Sequence, residues 1–249
     1  MDFATIDGVF NRYKAAQLNR EIHPDDVMFN SGKNFYFTVG EDAVRVILRA
    51  MSLTWRTDVL RVLDLPCGHG RVARHLPAAF PKAEFFFCDI DKEGVDFCAK
   101  QFGGTGIYSE PDLTRVALPK NLDVAWMGSL FTHVDRHRAA AWLAPIASHL
   151  SDKAVLVATF RGLSQKSSSE FGGSASHDAL IRDFERTGYG FAVYKEWQAE
   201  NYGTTLVRPS AVVAIAEQIP GMRILSYTEK GWANRQDVLV ICRHERVDA

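Results

Sequence analysis

The stretch of residues 59–73, VLRVLDLPCGHGRVA, constrains the fold more than any other part of the chain. Its first half is a run of β-branched and aliphatic residues, which predicts a strand that is buried on both faces. Its second half contains Gly68 and Gly70, which leave no side chain between the backbone and a ligand above the strand end. A helix that begins there points its free N–H groups at the same place. The stretch therefore predicts a ligand-binding strand–turn–helix unit.

A second apolar strand indicates what kind of ligand this unit binds. Residues 85–88 form an apolar run that ends in Asp89, about 20 residues after Gly70. A carboxylate at the tip of the neighbouring strand can accept hydrogen bonds from both hydroxyls of a ribose. The two strands and the turn together predict a nucleoside-binding βαβ unit.

The glycine pattern alone does not separate two classes of nucleoside. Residues 68–73 also fit G-x-G-x-x-G/A, the pattern of nicotinamide and flavin dinucleotide sites. Two features argue against a dinucleotide. Asp64 lies at the strand end, where a dinucleotide fold usually keeps apolar residues, and the C-terminus predicts an antiparallel strand hairpin. The Tyr-x-x-x-Lys spacing that is usual in such oxidoreductases is also absent from the sequence.

Residues 64–70, DLPCGHG, resemble the first motif of the class I S-adenosylmethionine-dependent methyltransferases, an acid and one residue followed by G-x-G-x-G. Pro66 stands at the place of the first glycine and removes one N–H from the turn. Residues 122–134 resemble the family again, with an acid near the start of the strand and Gly128 after it. The resemblance extends from residue 59 to the C-terminus. It implies an α/β fold with a doubly wound, mostly parallel seven-stranded sheet and an antiparallel C-terminal strand.

The resemblance also implies the cofactor S-adenosylmethionine, the product S-adenosylhomocysteine and methyl transfer to an oxygen or nitrogen nucleophile. The expected cofactor contacts lie on the first strand and its turn, at the ends of the second and fourth strands, and in the N-terminal segment. They are Asp64, Pro66, Cys67, Gly68, Gly70, Arg71, Asp89, Ile90, Met127, Gly128 and Tyr36. The residue beside the adenine stays open among Ser109, Glu110 and Asp112.

The candidate catalytic residues follow the fourth strand. His133 stands where many family members place a substrate-facing side chain, and an imidazole there can take a proton from a hydroxyl or an amine. Tyr202 is the second candidate base. Trp232 and Gln236 are candidate substrate contacts, because the C-terminal hairpin is expected to have its tip on the ligand side. We predict no metal site, since no third ligand accompanies the pair of histidines at 133 and 137.

The sequence predicts one domain over residues 1–249, in which an N-terminal segment and an insertion accompany the α/β core. Residues 1–57 form an N-terminal helical segment, which in the family often lies across the cofactor cleft as a lid. Residues 161–207 predict an insertion after the fifth strand, with two short aromatic strands. The insertion leaves from the ligand side of the sheet, so we assign it to the substrate as a cap.

Three element boundaries follow from local breakers and periodicity. A break at residues 32–34 precedes an amphipathic helix over residues 41–53. A short helix over residues 71–76 is expected to stop at Pro77. Residues 229–236 are expected to form the turn between the last two strands.

Composition limits the partners. A net charge of −1 and an isoelectric point near 6.7 give no bulk electrostatic argument for a nucleic-acid or membrane partner. No Asn-Pro-Pro-Tyr-type motif follows the fourth strand, which further favours a small-molecule acceptor such as a sugar or a secondary metabolite. The sequence leaves the acceptor and the oligomeric state open. A NAD(P)-dependent oxidoreductase and a non-catalytic nucleoside- or partner-binding protein are the alternatives.

The expected compartment follows from the cysteines and the N-terminus. The four cysteines are scattered without a C-x-x-C pair, which favours a reducing compartment. The first residues show neither a basic n-region nor an apolar h-region, and no apolar run approaches the roughly 20 residues of a membrane span. We therefore expect a cytoplasmic protein.

Overall fold

The computed structural model describes residues 3–29, 33–56, 58–166, 175–194 and 202–243. Its strands are β1 (Arg61–Asp64), β2 (Glu84–Asp89), β3 (Thr105–Tyr108), β4 (Leu122–Met127), β5 (Leu150–Phe160), β6 (Tyr189–Val193), β7 (Gly203–Val207), β8 (Met222–Trp232) and β9 (Gln236–Arg243). Its α-helices are α1 (Phe3–Ala15), α2 (Lys33–Ser52), α3 (Leu76–Ala79), α4 (Lys92–Phe102), α5 (Arg136–Ala147), α6 (Ala175–Thr187) and α7 (Pro209–Ala216).

Seven strands form one sheet in the order β3-β2-β1-β4-β5-β9-β8. Strands β1 to β5 are parallel, and β9 is antiparallel to both of its neighbours, β5 and β8. The carboxyl ends of β1, β2, β4 and β5 therefore meet at one edge of the sheet, and β9 begins at that edge. A dinucleotide-binding Rossmann sheet places its sixth strand parallel to the others. The reversed β9 confirms the predicted fold class.

The central strands are buried on both faces, as the run at residues 59–65 predicts. Val62 belongs to the apolar cluster on the face that packs against α2, α3 and α4. Leu63 belongs to the cluster on the opposite face, which packs against α5 and α7. Successive side chains alternate between these two clusters because the side-chain period of a strand is two.

The predicted break at residues 32–34 does not delimit the second helix, because α2 begins at Lys33. Tyr36, Val39, Ala43 and Ile47 are all buried and recur at helical spacing, so residues 33–40 continue the apolar face of the predicted helix. The predicted stop at Pro77 is also wrong. This proline lies in the first turn of α3, where its missing N–H costs no helical hydrogen bond.

The C-terminal hairpin has a tighter turn than predicted. Strand β8 continues to Trp232, and β9 begins at Gln236, so the turn is limited to residues 233–235. Trp232 and Gln236 are paired across the hairpin, with a register irregularity between Thr228 and Trp232. Both residues therefore occupy strand ends at the carboxyl edge of the sheet rather than a loop.

The insertion after β5 contains the short strands that the sequence predicts. Strands β6 and β7 pair antiparallel in a separate two-stranded sheet. Strand β7 also binds the loop that follows β4: the Gly203 N–H donates to the His133 carbonyl at 3.0 Å, and the Thr205 N–H donates to the Thr132 carbonyl at 3.1 Å. Trp197, an aromatic residue of the predicted cap, lies outside the described residues.

None of the helices in the described parts of the chain combines the length and the apolar character needed to cross a membrane.

Candidate cofactor and acceptor site

The two glycines of the turn after β1 have different structural roles. Both have positive φ angles, 48° for Gly68 and 88° for Gly70, which favour glycine. A Cβ at Gly70 would meet the ring of Phe102, so this glycine permits α4 to pack under the turn. No atom of the described residues lies within 4 Å of a Cβ built on Gly68. The backbone of Gly68 is therefore open to a ligand.

The turn is bound to the tip of β2 by the backbone. The Cys67 N–H donates to the Cys88 carbonyl at 3.0 Å, and the Gly68 N–H donates to Oδ2 of Asp89 at 2.7 Å. Pro66, which joins Leu65 through a cis peptide bond, lies just before these anchors. The predicted contacts at residues 66–68 and Asp89 are thus brought together.

Asp89 is a buried carboxyl group with backbone donors on both oxygens. Besides Gly68, the Asp91 N–H donates to its Oδ1 at 3.0 Å. Burial raises the pKa of the Asp89 carboxyl, and these backbone hydrogen bonds oppose that rise. The next residue, Ile90, is largely exposed at the same edge of the sheet. The pair presents an acceptor group beside an apolar surface, as a nucleoside site requires.

Asp64 lies at the tip of β1 and is only 1% exposed. Within the described part of the chain, neither of its carboxylate oxygens has a hydrogen-bond partner. Burial raises the pKa of Asp64 well above its usual range, and the nearby charge of Asp89 raises it further, whereas Arg71 lowers it. A buried carboxyl group without donors is costly unless a ligand supplies them.

Arg71 and Arg74 follow the glycine turn and contact different parts of the molecule. The guanidinium of Arg71 lies 5.5 Å from the ring centre of Trp232, and burial lowers the pKa of Arg71. Arg74 is almost fully buried, and its Nε donates to the Gly70 carbonyl at 2.9 Å. The sequence analysis missed Arg74. Its spacing of one helical turn from Gly70 was the only signal.

Arg74 also fixes the predicted contact Tyr36 against the turn. An Arg74 N–H donates to the Tyr36 hydroxyl at 3.1 Å, and that hydroxyl donates to Oδ2 of Asp26 at 2.6 Å. The second terminal nitrogen of Arg74 donates to the carbonyls of Asn19 and Glu21. The N-terminal segment and α2 are therefore bound directly to the glycine turn, although the hydroxyl of Tyr36 is already used in this network.

The two predicted contacts at the end of β4, Met127 and Gly128, have no side chain available to a ligand. Met127 is fully buried, and a Cβ at Gly128 would meet the indole of Trp126. Ser129, which follows, has a positive φ of 63°, and its N–H donates to Oγ1 of Thr159 at 2.8 Å. Gly128 therefore permits the packing of Trp126, and the Met127 side chain packs in the core, so a backbone contact with the cofactor stays a prediction.

The imidazole of His133 is oriented by the cap. Its Nδ1 lies 2.9 Å from the carbonyl oxygen of Gly203, and a carbonyl can only accept. Nδ1 therefore carries the proton, and the basic lone pair of the neutral ring is on Nε2. The ring stacks on Tyr202 at 4.7 Å between centroids and 20° between planes. This tautomer suits a proton acceptor.

Tyr202, the second candidate base, lies directly before β7. Burial raises its pKa to about 12, and the charges of Tyr194 and Asp89 add to the rise. A phenol with this pKa donates a hydrogen bond at neutral pH and is a poor proton acceptor.

The two predicted substrate contacts on the hairpin are in different surroundings. Trp232 is 2% exposed, its indole N–H donates to the Val39 carbonyl at 3.0 Å, and its ring packs edge-on against Trp126. Gln236 is half-buried, and its side chain reaches Ser129 and Thr159. Trp232 thus lies in the core, whereas Gln236 lies at the edge of the site together with two residues that the sequence analysis did not single out.

The three candidates for the adenine contact also differ. The Ser109 N–H donates to the Asp89 carbonyl at 2.8 Å, which places Ser109 next to the tip of β2. Glu110 is exposed. The Asp112 carboxylate caps a short 3₁₀ helix by accepting from the Thr114 N–H. Ser109 is the candidate with the most direct connection to the site.

The fold is that of a Rossmann-like, doubly wound α/β protein with a candidate ligand site at the carboxyl edge of its sheet. Residues 63–156 match the model of a family described as a methyltransferase domain. The chain resembles the class I S-adenosylmethionine-dependent methyltransferases in this segment and in its whole sheet topology. These findings support a methyltransferase domain over residues 63–156.

Solved structures share this fold at low sequence identity. DesVI of Streptomyces venezuelae is 14% identical, with 90% of this chain and 99% of that chain covered and a TM-score of 0.60. The sugar N-methyltransferase KedS8 from Streptoalloteichus sp. ATCC 53650 is 16% identical, with 92% and 96% covered and a TM-score of 0.59. DhpI, described in complex with SAH, is 13% identical, with 99% and 100% covered and a TM-score of 0.56.

Proposed function

We propose that this chain transfers a methyl group from S-adenosylmethionine to an oxygen or nitrogen nucleophile of a small molecule. The observation that carries the proposal is the buried carboxyl group of Asp64, which has no donor among the described residues and lies beside an open glycine turn. A ligand that brings an ammonium group and ribose hydroxyls supplies the donors that this edge of the sheet lacks.

The residues at the strand tips fit the cofactor. Asp89 has acceptor capacity for the ribose hydroxyls, Gly68 permits close backbone approach, and Ile90 offers an apolar surface to the base. Asp64 would receive the ammonium group. When bound, S-adenosylmethionine supplies an activated methyl group and leaves as S-adenosylhomocysteine.

The protein's part in the chemistry is to orient the acceptor, remove its proton and exclude water. We assign proton removal to Nε2 of His133, because Nδ1 is held by the Gly203 carbonyl. Tyr202 stacks on the imidazole and limits its rotation. We assign the insertion at residues 161–207, which includes the β6–β7 hairpin, as the cap over this side of the site, and residues 1–57 as the wall opposite.

The net charge of the chain and its structural similarity to a sugar methyltransferase support a small-molecule acceptor. The near-neutral net charge provides no field for attracting nucleic acid. KedS8, which shares the fold, is described as a sugar N-methyltransferase. A sugar or a secondary metabolite is therefore the first acceptor class to examine.

Calorimetry with the full chain tests the cofactor. We expect S-adenosylmethionine and S-adenosylhomocysteine to bind, NAD and NADP not to bind, and Asp89→Ala to abolish binding. Asp58→Ala, an exposed acid ahead of β1, is the matched control and should bind normally. A preference for the dinucleotides would overturn the proposal.

Methyl transfer is tested with methyl-labelled S-adenosylmethionine and a broad acceptor panel, read by mass spectrometry. Transfer to a small acceptor supports the proposal. Transfer to nucleic acid alone contradicts the acceptor class, and cofactor binding without any transfer favours the non-catalytic alternative.

A further inference from the structure

Three polar side chains meet at the carboxyl edge of the sheet, where β4 and β5 end and β9 begins. The Ser129 N–H donates to Oγ1 of Thr159 at 2.8 Å, and the Thr159 hydroxyl donates to Oε1 of Gln236 at 2.6 Å. Nε2 of Gln236 donates to Oγ of Ser129 at 2.9 Å. The three residues form a closed ring of hydrogen bonds that joins the loop after β4 to β5 and β9.

The directions of these bonds fix the orientation of the Gln236 amide. A backbone N–H can only donate, so Thr159 accepts from Ser129 and keeps its own proton for Gln236. The reverse orientation of the amide would turn an N–H group toward Thr159 and remove the acceptor of its proton. Because Thr159 is fully buried, that loss is costly. Nε2 of Gln236 therefore faces Ser129.

Two donors, the Ser129 hydroxyl and the second N–H of the Gln236 amide, are not used within this ring of hydrogen bonds. Oγ of Ser129 already accepts from Gln236, so its own proton points elsewhere, and no described residue accepts it in a hydrogen bond. Nε2 of Gln236 has a second N–H beyond the one given to Ser129. Both side chains are half-buried, in contrast to Thr159. The pair is suited to bind one oxygen atom of a ligand.

The position of this pair assigns it to the acceptor rather than to the nucleoside. The nucleoside residues lie at the tips of β1 and β2, whereas Ser129 and Gln236 lie beyond β4, over β5 and β9. Ser129 also shares a tight turn with His133, closed by the Thr132 hydroxyl on the Ser129 carbonyl at 2.7 Å. The candidate proton acceptor and the Ser129 hydroxyl therefore belong to one tight turn at the edge of the sheet where Gln236 lies.

We propose that the Ser129 hydroxyl and the Gln236 amide bind an oxygen atom next to the nucleophile of the acceptor. The enzyme then selects acceptors with two neighbouring oxygens, such as catechols, ortho-hydroxycarboxylates and vicinal diols. This inference rests on the proposed function and specifies the substrate class of the same site. The Thr159 hydroxyl holds the pair in place, since its two hydrogen bonds within the described residues are with Ser129 and Gln236.

Binding to the complex of the protein with S-adenosylhomocysteine provides the direct test. Calorimetry compares salicylate with 4-hydroxybenzoate and catechol with phenol, and transfer assays add a vicinal-diol methyl pyranoside with its deoxy analogue. We expect the member with neighbouring oxygens to bind at least about tenfold more tightly, the value of one hydrogen bond to a charged or well-placed acceptor.

Two variants remove the donors one at a time. Gln236→Glu replaces the N–H group by an acceptor and should abolish the preference within each pair, whereas Gln218→Glu, an exposed glutamine after α7, adds the same charge and should retain it. Ser129→Gly removes the hydroxyl at a positive φ that glycine accepts readily, and it should reduce the preference about tenfold.

The outcomes separate this inference from the proposed function. Failure of the wild-type protein to bind S-adenosylmethionine overturns the function itself. With the cofactor bound, equal affinity and equal transfer for both members of every pair overturn the substrate class. The absence of binding and transfer with all of these compounds overturns it as well. A loss of cofactor affinity in Gln236→Glu also overturns it, because the donors would then serve the cofactor.

Discussion

The carboxyl groups of Asp64 and Asp89 lie at the tips of neighbouring parallel strands, and only Asp89 is hydrogen-bonded by the backbone. The charge of Asp89 raises the pKa of Asp64, so the two acids disfavour each other's ionisation. Folding stabilises one acid with the Gly68 and Asp91 N–H groups and leaves the other to a ligand. The ionised carboxyl group of Asp64 therefore destabilises the protein without a ligand, and it favours the binding of a cationic ligand.

Asp64→Asn should stabilise the protein at neutral pH. The folded pKa of Asp64 is raised above its unfolded value near 4, so its favourable contribution is complete below pH 4 and is lost as the pH rises through the folded pKa. Asparagine resembles the neutral acid at every pH. The difference in Tm between the variant and the wild type should therefore grow from pH 4 to pH 8.

The same substitution should weaken binding of S-adenosylmethionine at least about tenfold, because the carboxylate charge is lost. Thermal unfolding across this pH range and calorimetry at pH 8 measure the two effects. A variant that is less stable than the wild type at pH 8 would show that another group of the folded protein donates a hydrogen bond to Asp64.

Alanine at the two glycines of the turn should have different main effects. Gly68→Ala should mainly weaken cofactor binding, whereas Gly70→Ala should mainly lower the stability of the fold. Gly68→Ala should fold with a loss of about 1 kcal/mol, since its Cβ meets no described atom and only the positive φ is unfavourable. Its Cβ would occupy the space of the ligand, so cofactor binding should be largely lost. Gly70→Ala should lose about 3 kcal/mol or more, because its Cβ would collide with the ring of Phe102.

Urea unfolding and calorimetry on both variants check this contrast. Normal cofactor affinity in a folded Gly68→Ala protein would place the ligand elsewhere. A fully stable Gly70→Ala protein would mean that α4 does not pack closely beneath the turn.

The sequence predicted the parts of the fold that depend on local pattern. The apolar run before Asp64 and the run before Asp89 became adjacent buried strands, and the C-terminal hairpin supplied the antiparallel strand. These features follow from strand periodicity and from turn residues, which are visible in one sequence.

Other features depend on contacts between distant segments, and no local pattern reveals them. Arg74 binds carbonyls more than 50 residues earlier in the chain, and Trp232 uses its indole N–H on Val39. The ring of Ser129, Thr159 and Gln236 exists only because β4, β5 and β9 are neighbours. Sequence reasoning could identify Gln236 from the hairpin, but not its two partners.

Arg74→Met should destabilise the protein by about 3 kcal/mol, because the Gly70 carbonyl, two carbonyls of the N-terminal segment and the Tyr36 hydroxyl lose the donor that this buried guanidinium supplies. Arg74→Lys should not restore stability, since an ammonium group cannot reach acceptors arranged around a planar guanidinium. Arg115→Met, at an exposed arginine, is the matched control and should unfold within about 0.5 kcal/mol of the wild type. Urea unfolding measures all three.

Arg74 should also contribute to the cofactor site through the N-terminal segment. A folded Arg74→Met protein should show faster amide exchange in residues 19–28 and α2 and weaker binding of S-adenosylmethionine. Unchanged exchange in these residues would show that contacts other than Arg74 fix the segment.

His133→Asn should separate catalysis from binding. The amide N–H of asparagine can still donate to the Gly203 carbonyl, but no basic nitrogen remains in the position of Nε2. With an acceptor from the transfer screen, kcat should fall about 100-fold and the acidic limb of its pH profile should disappear, while the Kd of S-adenosylmethionine stays the same. His137→Asn, an exposed histidine one helical turn later, should keep the full profile. An unchanged acidic limb in His133→Asn would assign the proton to another group or to solvent, and then the stacking of His133 on Tyr202 would serve only to attach the cap to the loop after β4.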